Sequence, residues 1–293
     1  MHLTPESTRN NFEMQNLIGR LGIITLIAIG MTFTSGSVSA VERCSTLSNR
    51  CFEWPLVPNG TTLEKISTSG VWSKPEGNGP FPAIIIAESC GGSKPAVDEM
   101  WPAFFNSLGY ATYTPRILDE FGERYCPNLR FVTSNSNRTK MLRIIYSALD
   151  EMHGKEYVNQ NSIGIIGFSL GGILIRDAGE IKDLKSSSGN KFKYAINVYG
   201  YCTLVERKGD NIPTLMLLAE KDTAKGKHKL CEKVQDQGFE NMSWHIIKDA
   251  YHAFDDDTQT RGKTDVGGNT MKYSKDATNE AKDVIRRFLE KVK

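Results

Sequence analysis

A chain of 293 residues with 39% apolar side chains can build one large core, so one main domain is expected rather than several small ones. A formal charge of +2 with 24% charged residues supplies neither the basic field that nucleic acid requires nor an acidic tail, which leaves small-molecule chemistry.

Residues 21–33 (LGIITLIAIGMTF) form an apolar run of signal-peptide length, preceded by Arg20 and followed by TSGSVSA, where Val38 and Ala40 suit a small-residue cleavage site. An uncleaved membrane anchor needs about 20 apolar residues, and Arg20 cuts the run short of that. The expectation is a cleaved signal over residues 1–40, export to the periplasm or beyond, and no stable membrane insertion afterwards. Met14 is an alternative start that would leave Arg20 almost alone in the n-region.

Cys44, Cys51, Cys90, Cys126, Cys202 and Cys231 all lie beyond residue 40, an even number that favours disulfides in an oxidising compartment. None stands in a CxxC pair with zinc spacing, so no metal is expected. Six cysteines allow about 15 pairings and the sequence does not choose among them. Cys44 with Cys51, Cys90 with Cys126, and Cys202 with Cys231 is the favoured set, the last two because they join βα segments that neighbour one another in the fold expected below.

Residues 41–60 read as a non-periodic lead-in stapled by its own two cysteines, and residues 61–293 as the catalytic domain. Residues 63–72 (LEKISTSGVW) alternate loosely before a stretch rich in Pro and Gly, which predicts an outer antiparallel strand and a turn. Residues 83–87 (AIIIA) read as a central strand buried on both faces. That strand ends in Glu88, Ser89, Cys90, Gly91 and Gly92, a polar, glycine-rich loop at a strand's carboxyl end, where α/β sheets place their ligands. A helix over 97–108 follows, with Met100, Phe104, Phe105 and Leu108 on one face, then a short strand over 111–114. No period is visible from 115 to 138, and so long a loop is read as a flap over the site. Residues 138–153 return to helical spacing through Met141, Ile144, Ile145, Ala148, Leu149 and Met152.

Residues 162–172, SIGIIGFSLGG, are the stretch around which the rest is organised. Ile163, Ile165 and Ile166 make a short β-branched strand, and Ile173, Leu174, Ile175, Ala178 and Ile181 follow at helical spacing. Ser169 is the centre of G-x-S-x-G in the turn between them, where small neighbours let strand and helix approach closely enough to hold a strained, outward-pointing serine. Beyond a surface turn at 185–190, strands are predicted over 194–199, 213–219 and 242–247, and helices over 225–237 and 275–292, the last with Ala281, Val284, Ile285 and Phe288 inward. The alternation predicts an α/β fold, a mostly parallel sheet with helices on both faces.

Serine is a weak nucleophile at neutral pH and needs a base that is itself oriented by a third group. On an α/β-hydrolase scaffold these follow in the order serine, acid, histidine, each after a later strand. Asp222 ends PTLMLLAEKD and His252 lies in DAYHAFD, so both order and placement fit, with Glu220 as the competing acid. His153 and His228 fall in predicted helices, His245 within a strand and His2 in the signal segment. The two backbone N–H donors that such a reaction needs for its oxyanion would be those of Leu170, after the nucleophile, and Ser89, after the early central strand.

PAIIIAES with Glu88, CGG at Cys90, GFSLGG around Ser169, VYGYC ending at Cys202, AEKD with Asp222 and YHAFD with His252 together resemble the dienelactone hydrolases, most closely their exported relatives, from about residue 63 to 289. DEFGERYC, residues 119–126, resembles a loop motif of those relatives and supports the pairing of Cys90 with Cys126. The resemblance implies an α/β-hydrolase fold without a large lid domain, hydrolysis of a small ester or lactone, and no cofactor. Two departures limit it. The best-known members use a cysteine nucleophile that a glutamate at the position of Glu88 contacts; here the nucleophile is a serine, which leaves Glu88 the role of shaping the site. They also hold a substrate carboxylate with an arginine just after the histidine, where this chain has Asp255, Asp256 and Asp257, so an anionic lactone is not expected. Arg124 in the flap is the one candidate for a replacement positive charge, with a solvated surface arginine as its competing reading. The rival functions are a peptidase or acyltransferase on the same scaffold, and a catalytically silent hydrolase-fold binding module. Oligomeric state is not legible.

Overall fold

The computed structural model describes residues 43–45, 50–52, 56–202, 212–222, 231, 241–259, 262–265 and 268–292, all within the unit 40–293. The signal-peptide reading and the helix predicted over 225–237 lie outside the described residues, apart from Cys231, which is helical.

The run AIIIA sits in the middle of the sheet for the reason its composition suggests. Strand β4 (Phe81–Ala87) pairs in parallel with β5 (Ala111–Pro115) on one side and β6 (Val158–Phe168) on the other, and Ile84, Ile85 and Ile86 are fully buried. Alternation along the pleat sends Ile85 to one face and Ile84 and Ile86 to the other. Each such isoleucine contributes about 1.5–3 kcal/mol by leaving water.

Outward from β6 the sheet continues in parallel through β7 (Ala195–Val198), β8 (Thr214–Ala219) and β9 (Met242–Ile247). At the opposite edge β3 (Gly70–Ser73) lies antiparallel to β5, which completes seven strands in the order β3-β5-β4-β6-β7-β8-β9. Helices α3 (Asn135–His153) and α4 (Leu170–Glu180) pack with Ile85 on one face. Helices α1 (Trp101–Ser107) and α5 (Lys275–Val292) pack with Ile84 and Ile86 on the other, α5 through Ala281, Val284, Ile285 and Phe288 as its spacing predicts.

Several segments differ from expectation. The outer strand is confined to residues 70–73; upstream, the chain leaves the sheet and is tied to α3 by the Ile66 N–H on Ser147 Oγ, 2.9 Å. The flap is not uniformly irregular: a one-turn helix (Asp119–Phe121) and α2 (Leu129–Thr133) interrupt it, the second capped by Asn128 Oδ1 on the Phe131 N–H, 3.0 Å. Ser134 caps α3, which therefore starts at Asn135 rather than at 138. The turn at 185–190 is anchored to the body of the protein, since the Asp150 carboxylate accepts from Ser186, Ser187 and Asn190 side chains. In the lead-in, β1 (Arg43–Ser45) and β2 (Arg50–Phe52) form an antiparallel ladder whose register sets Cys44 opposite Cys51.

Candidate active site

Ser169 stands between the end of β6 and the start of α4 and belongs to both. Its N–H donates to Val198 O at 3.0 Å, continuing the strand ladder, while its carbonyl accepts the Ile173 N–H at 3.0 Å, opening the helix. Meeting both demands forces φ 52° and ψ −103°, a conformation that costs a side-chain-bearing residue about 1–3 kcal/mol. The glycines around it are required by contact. A Cβ at Gly167 would run into the Gly171 backbone, one at Gly171 into Ala87, and one at Gly172 into Asn197 and Gly200. The motif thus brings strand, turn and helix to within backbone contact, and the price of that closeness is the strained serine.

His252 lies between β9 and α5, and Asp222 ends the turn after β8, its N–H on Ala219 O at 3.1 Å. The imidazole bridges the other two: Nε2 to Ser169 Oγ is 2.8 Å and Nδ1 to Asp222 Oδ2 is 2.8 Å. All three are buried, at 7%, 4% and 2% exposure for Ser169, Asp222 and His252. A carboxylate only accepts, so a neutral ring keeps its proton on Nδ1, facing Asp222, and presents a bare Nε2 to the serine hydroxyl. The competing acid, Glu220, is exposed and accepts the Asp249 N–H at 2.8 Å. Of the other described histidines, His245 pairs with Glu280 on the surface and His153 closes α3.

The loop after β4 lies against the elbow: the Gly171 N–H donates to Glu88 O at 3.1 Å. This bond sets Ser89 next to the first turn of α4, and among the described residues neither the Ser89 nor the Leu170 N–H has an acceptor. Glu88 itself is 1% exposed and turns its side chain to the flap, where Oε1 accepts the Leu118 N–H at 2.8 Å. Burial raises its carboxyl from 4.5 to about 7, against the opposing pull of the Leu118 N–H and the Arg116 charge. A disulfide joins Cys90 to Cys126, and the Cys126 N–H donates to Cys90 O at 2.9 Å, so the flap is bound to this loop twice over. Cys202 and Cys231 form a second disulfide. Arg124 is not where a site-shaping cation should be: its side chain is exposed and outside the cavity lining, and only its backbone carbonyl comes close to the loop, where a Cβ at Gly92 would meet it.

The reacting side of these loops opens into a cavity of ≈ 190 Å³ lined by Ser169 and His252 together with Ser89, Tyr199, Lys94 and Asp265 among others. Lys94 and Asp265 fall in none of the quoted motifs, whereas Tyr199 belongs to VYGYC. Tyr199 sits at φ 42° with its ring 4.8 Å from that of His252, and its hydroxyl donates to Asp255 Oδ1 at 2.6 Å. Burial, reinforced by Asp255, keeps that phenol protonated by pushing its pKa far up. Asp255 also accepts from Trp101 Nε1 at 2.7 Å, and its own carboxyl is raised by burial. Asp256 takes Lys94 Nζ at 2.5 Å; although burial opposes ionisation, Lys94, Thr258 and Gln259 hold its carboxyl below the usual range. Asp255 and Asp256 therefore brace the wall of the cavity, while Asp257 is exposed. The only trace of that brace in the sequence is the unusual density of aspartate beside YHAF.

The sequence model of the dienelactone hydrolase family matches residues 68–293. No curated protein matches the chain. Among solved structures, a dienelactone hydrolase-like promiscuous phosphotriesterase from metagenomic libraries is similar at 13% identity and TM-score 0.57, covering 77% of this chain and 92% of its own. Esterase PE8 is similar at 12% identity and TM-score 0.54 over 76% and 100% of the two chains. The dienelactone hydrolase of Anabaena variabilis is similar at 14% identity and TM-score 0.52 over 80% and 96%. At such identities the structural likeness establishes the α/β-hydrolase fold.

Proposed function

Given that the chain belongs to the dienelactone hydrolase family, a family of ester hydrolases, we propose that it is an exported serine hydrolase that cleaves small carboxylic esters or lactones through Ser169, His252 and Asp222. The observation that carries the reading is one imidazole held at 2.8 Å from a hydroxyl on one nitrogen and at 2.8 Å from a carboxylate on the other. His252 Nε2 takes the Ser169 proton as Oγ attacks the ester carbonyl, and Asp222 keeps the ring in the correct tautomer and stabilises the imidazolium that forms. The N–H groups of Ser89 and Leu170 receive the oxyanion, at the amino end of α4 where the helix dipole favours negative charge. Collapse returns the proton to the departing alcohol and leaves an acyl-enzyme; water, deprotonated by the same imidazole, releases the acid.

Labelling by a fluorophosphonate probe, in wild type and in Ser169→Ala, tests this reading. Wild-type labelling that the variant loses is expected, with kcat/KM on short p-nitrophenyl esters falling about 10⁴-fold or more. A folded wild-type protein that does not label would point to the silent binding module. Parallel assays on peptide amides separate ester hydrolysis from peptidase activity. Export is supported by the apolar run over 21–33 and by the disulfides Cys90–Cys126 and Cys202–Cys231. Among the described residues no helix is long and apolar enough to cross a membrane. N-terminal sequencing of the mature protein should begin at Val41, and retention of residues 21–40 would contradict the cleavage.

A further inference from the structure

In the reaction above, His252 Nε2 hands its proton to the leaving alcohol, so the alcohol oxygen must come within about 3 Å of that nitrogen. Asp265 Oδ2 is already 3.5 Å from the same atom, on the cavity side of the ring. Whatever the alcohol carries next to its oxygen therefore passes beside a carboxylate. That carboxylate is oriented: the Asn269 backbone N–H donates to Oδ1 at 2.8 Å and the Asn269 side-chain amide to Oδ2 at 2.7 Å. Among the described residues, Lys94, paired with Asp256, lines the cavity together with Asp255, Asp256 and Asp265. Tyr199, beside the histidine, and Tyr125, which is 65% exposed at the flap, also line it. A carboxylate in a cavity that tyrosines also line suits an organic cation.

We propose that Asp265 is a specificity residue that selects esters whose leaving alcohol is positively charged, an amino or quaternary ammonium alcohol, over neutral or anionic ones. The inference rests on the serine-hydrolase reading, since it uses the path of the departing alcohol. A charge pair a few ångströms apart in a partly desolvated cavity is worth about tenfold or more in relative rate.

The test compares 2-(trimethylammonio)ethyl acetate with its neutral isostere 3,3-dimethylbutyl acetate. The readout is the ratio of their kcat/KM values, which cancels any general loss of activity from altering a group next to His252. Wild type is expected to favour the cation about tenfold, Asp265→Asn to bring the ratio near one, and Asp265→Glu to restore a preference. In wild type alone, raising salt from about 0.01 M to about 1 M should shrink the ratio through screening. A wild-type ratio at or below one, or a ratio that Asp265→Asn leaves unchanged, overturns the proposal. So does a fluorophosphonate-labelled enzyme that hydrolyses neither ester, in which case the serine-hydrolase reading stands. Absence of both labelling and hydrolysis overturns the two together.

Discussion

In the elbow, a methyl group added at Gly167 or Gly171 meets backbone atoms of a neighbouring element; the flap over residues 115–138 has one such contact, Arg124 O against Gly92, and is otherwise held by ties that side chains, backbone N–H groups and a cross-link supply. Those ties include Cys90–Cys126, the Cys126 N–H on Cys90 O, the Glu88 carboxyl on the Leu118 N–H, Arg116 on Asp98 and Lys140 on Glu120 O. Both regions border the same cavity, through Ser169 on one side and Tyr125 and Cys126 on the other. The contrast teaches that Ser169 is placed mainly by steric exclusion, which has no partial setting. The flap is placed by several separate bonds, each of which can be removed while the others persist.

The most severe way to break the elbow is Gly171→Ala. Its Cβ has no room beside Ala87, so strand and helix must part; esterase turnover is expected to fall at least about 100-fold and unfolding stability by about 2–4 kcal/mol, read by steady-state kinetics and urea melts. A result within a few-fold of wild type would mean that the elbow tolerates separation. Loss of the flap's cross-link should do less to chemistry. Cys90→Ser with Cys126→Ser is expected to cost about 2–4 kcal/mol in stability and about tenfold in turnover, because Ser89 neighbours Cys90 while the Glu88–Leu118 bond remains.

Glu88 sharpens the comparison through pH. Its folded carboxyl titrates near 7 against 4.5 for an ordinary glutamate, so the folded state binds the proton more tightly than the unfolded one. Its contribution to stability is present in full below 4.5 and is lost as pH rises through about 7, a swing of about 3 kcal/mol. Glu88→Gln keeps an acceptor for the Leu118 N–H and removes the titration. Urea melts from pH 4.5 to 8 should show wild type losing stability relative to this variant as pH rises, and parallel curves would refute the assignment. The smallest effect belongs to Arg124→Ala. With its side chain exposed and outside the cavity lining, kcat/KM on neutral esters should stay within about twofold.

Much of the frame was legible because it is local. AIIIA reads as a strand buried on both faces, and Gly167, Gly171 and Gly172 announce a close approach before any partner is known. Even the inward face of α5 follows from spacing, through Ala281, Val284, Ile285 and Phe288. The flap was not legible, because α2 depends on an Asn128 cap inside a polar stretch that has no period of its own. Likewise the short extent of β3 depends on where residues 63–68 find α3, a contact between positions about 80 residues apart.

The site divides in the same manner. The sequence by itself determined a strained serine on a strand-to-helix turn and offered an aspartate and a histidine after later strands, because glycine sterics and strand-end loops act over a few residues. Only the tertiary structure decided that Asp222 rather than Glu220 meets the imidazole, that Tyr199 lies beside it and is held by Asp255, that Arg124 is exposed, and that Asp265 comes within 3.5 Å of His252 Nε2. Those choices turn on the relative positions of loops on different strands. Such positions are set by the packing of the whole sheet and its helices, which no short stretch of chain encodes.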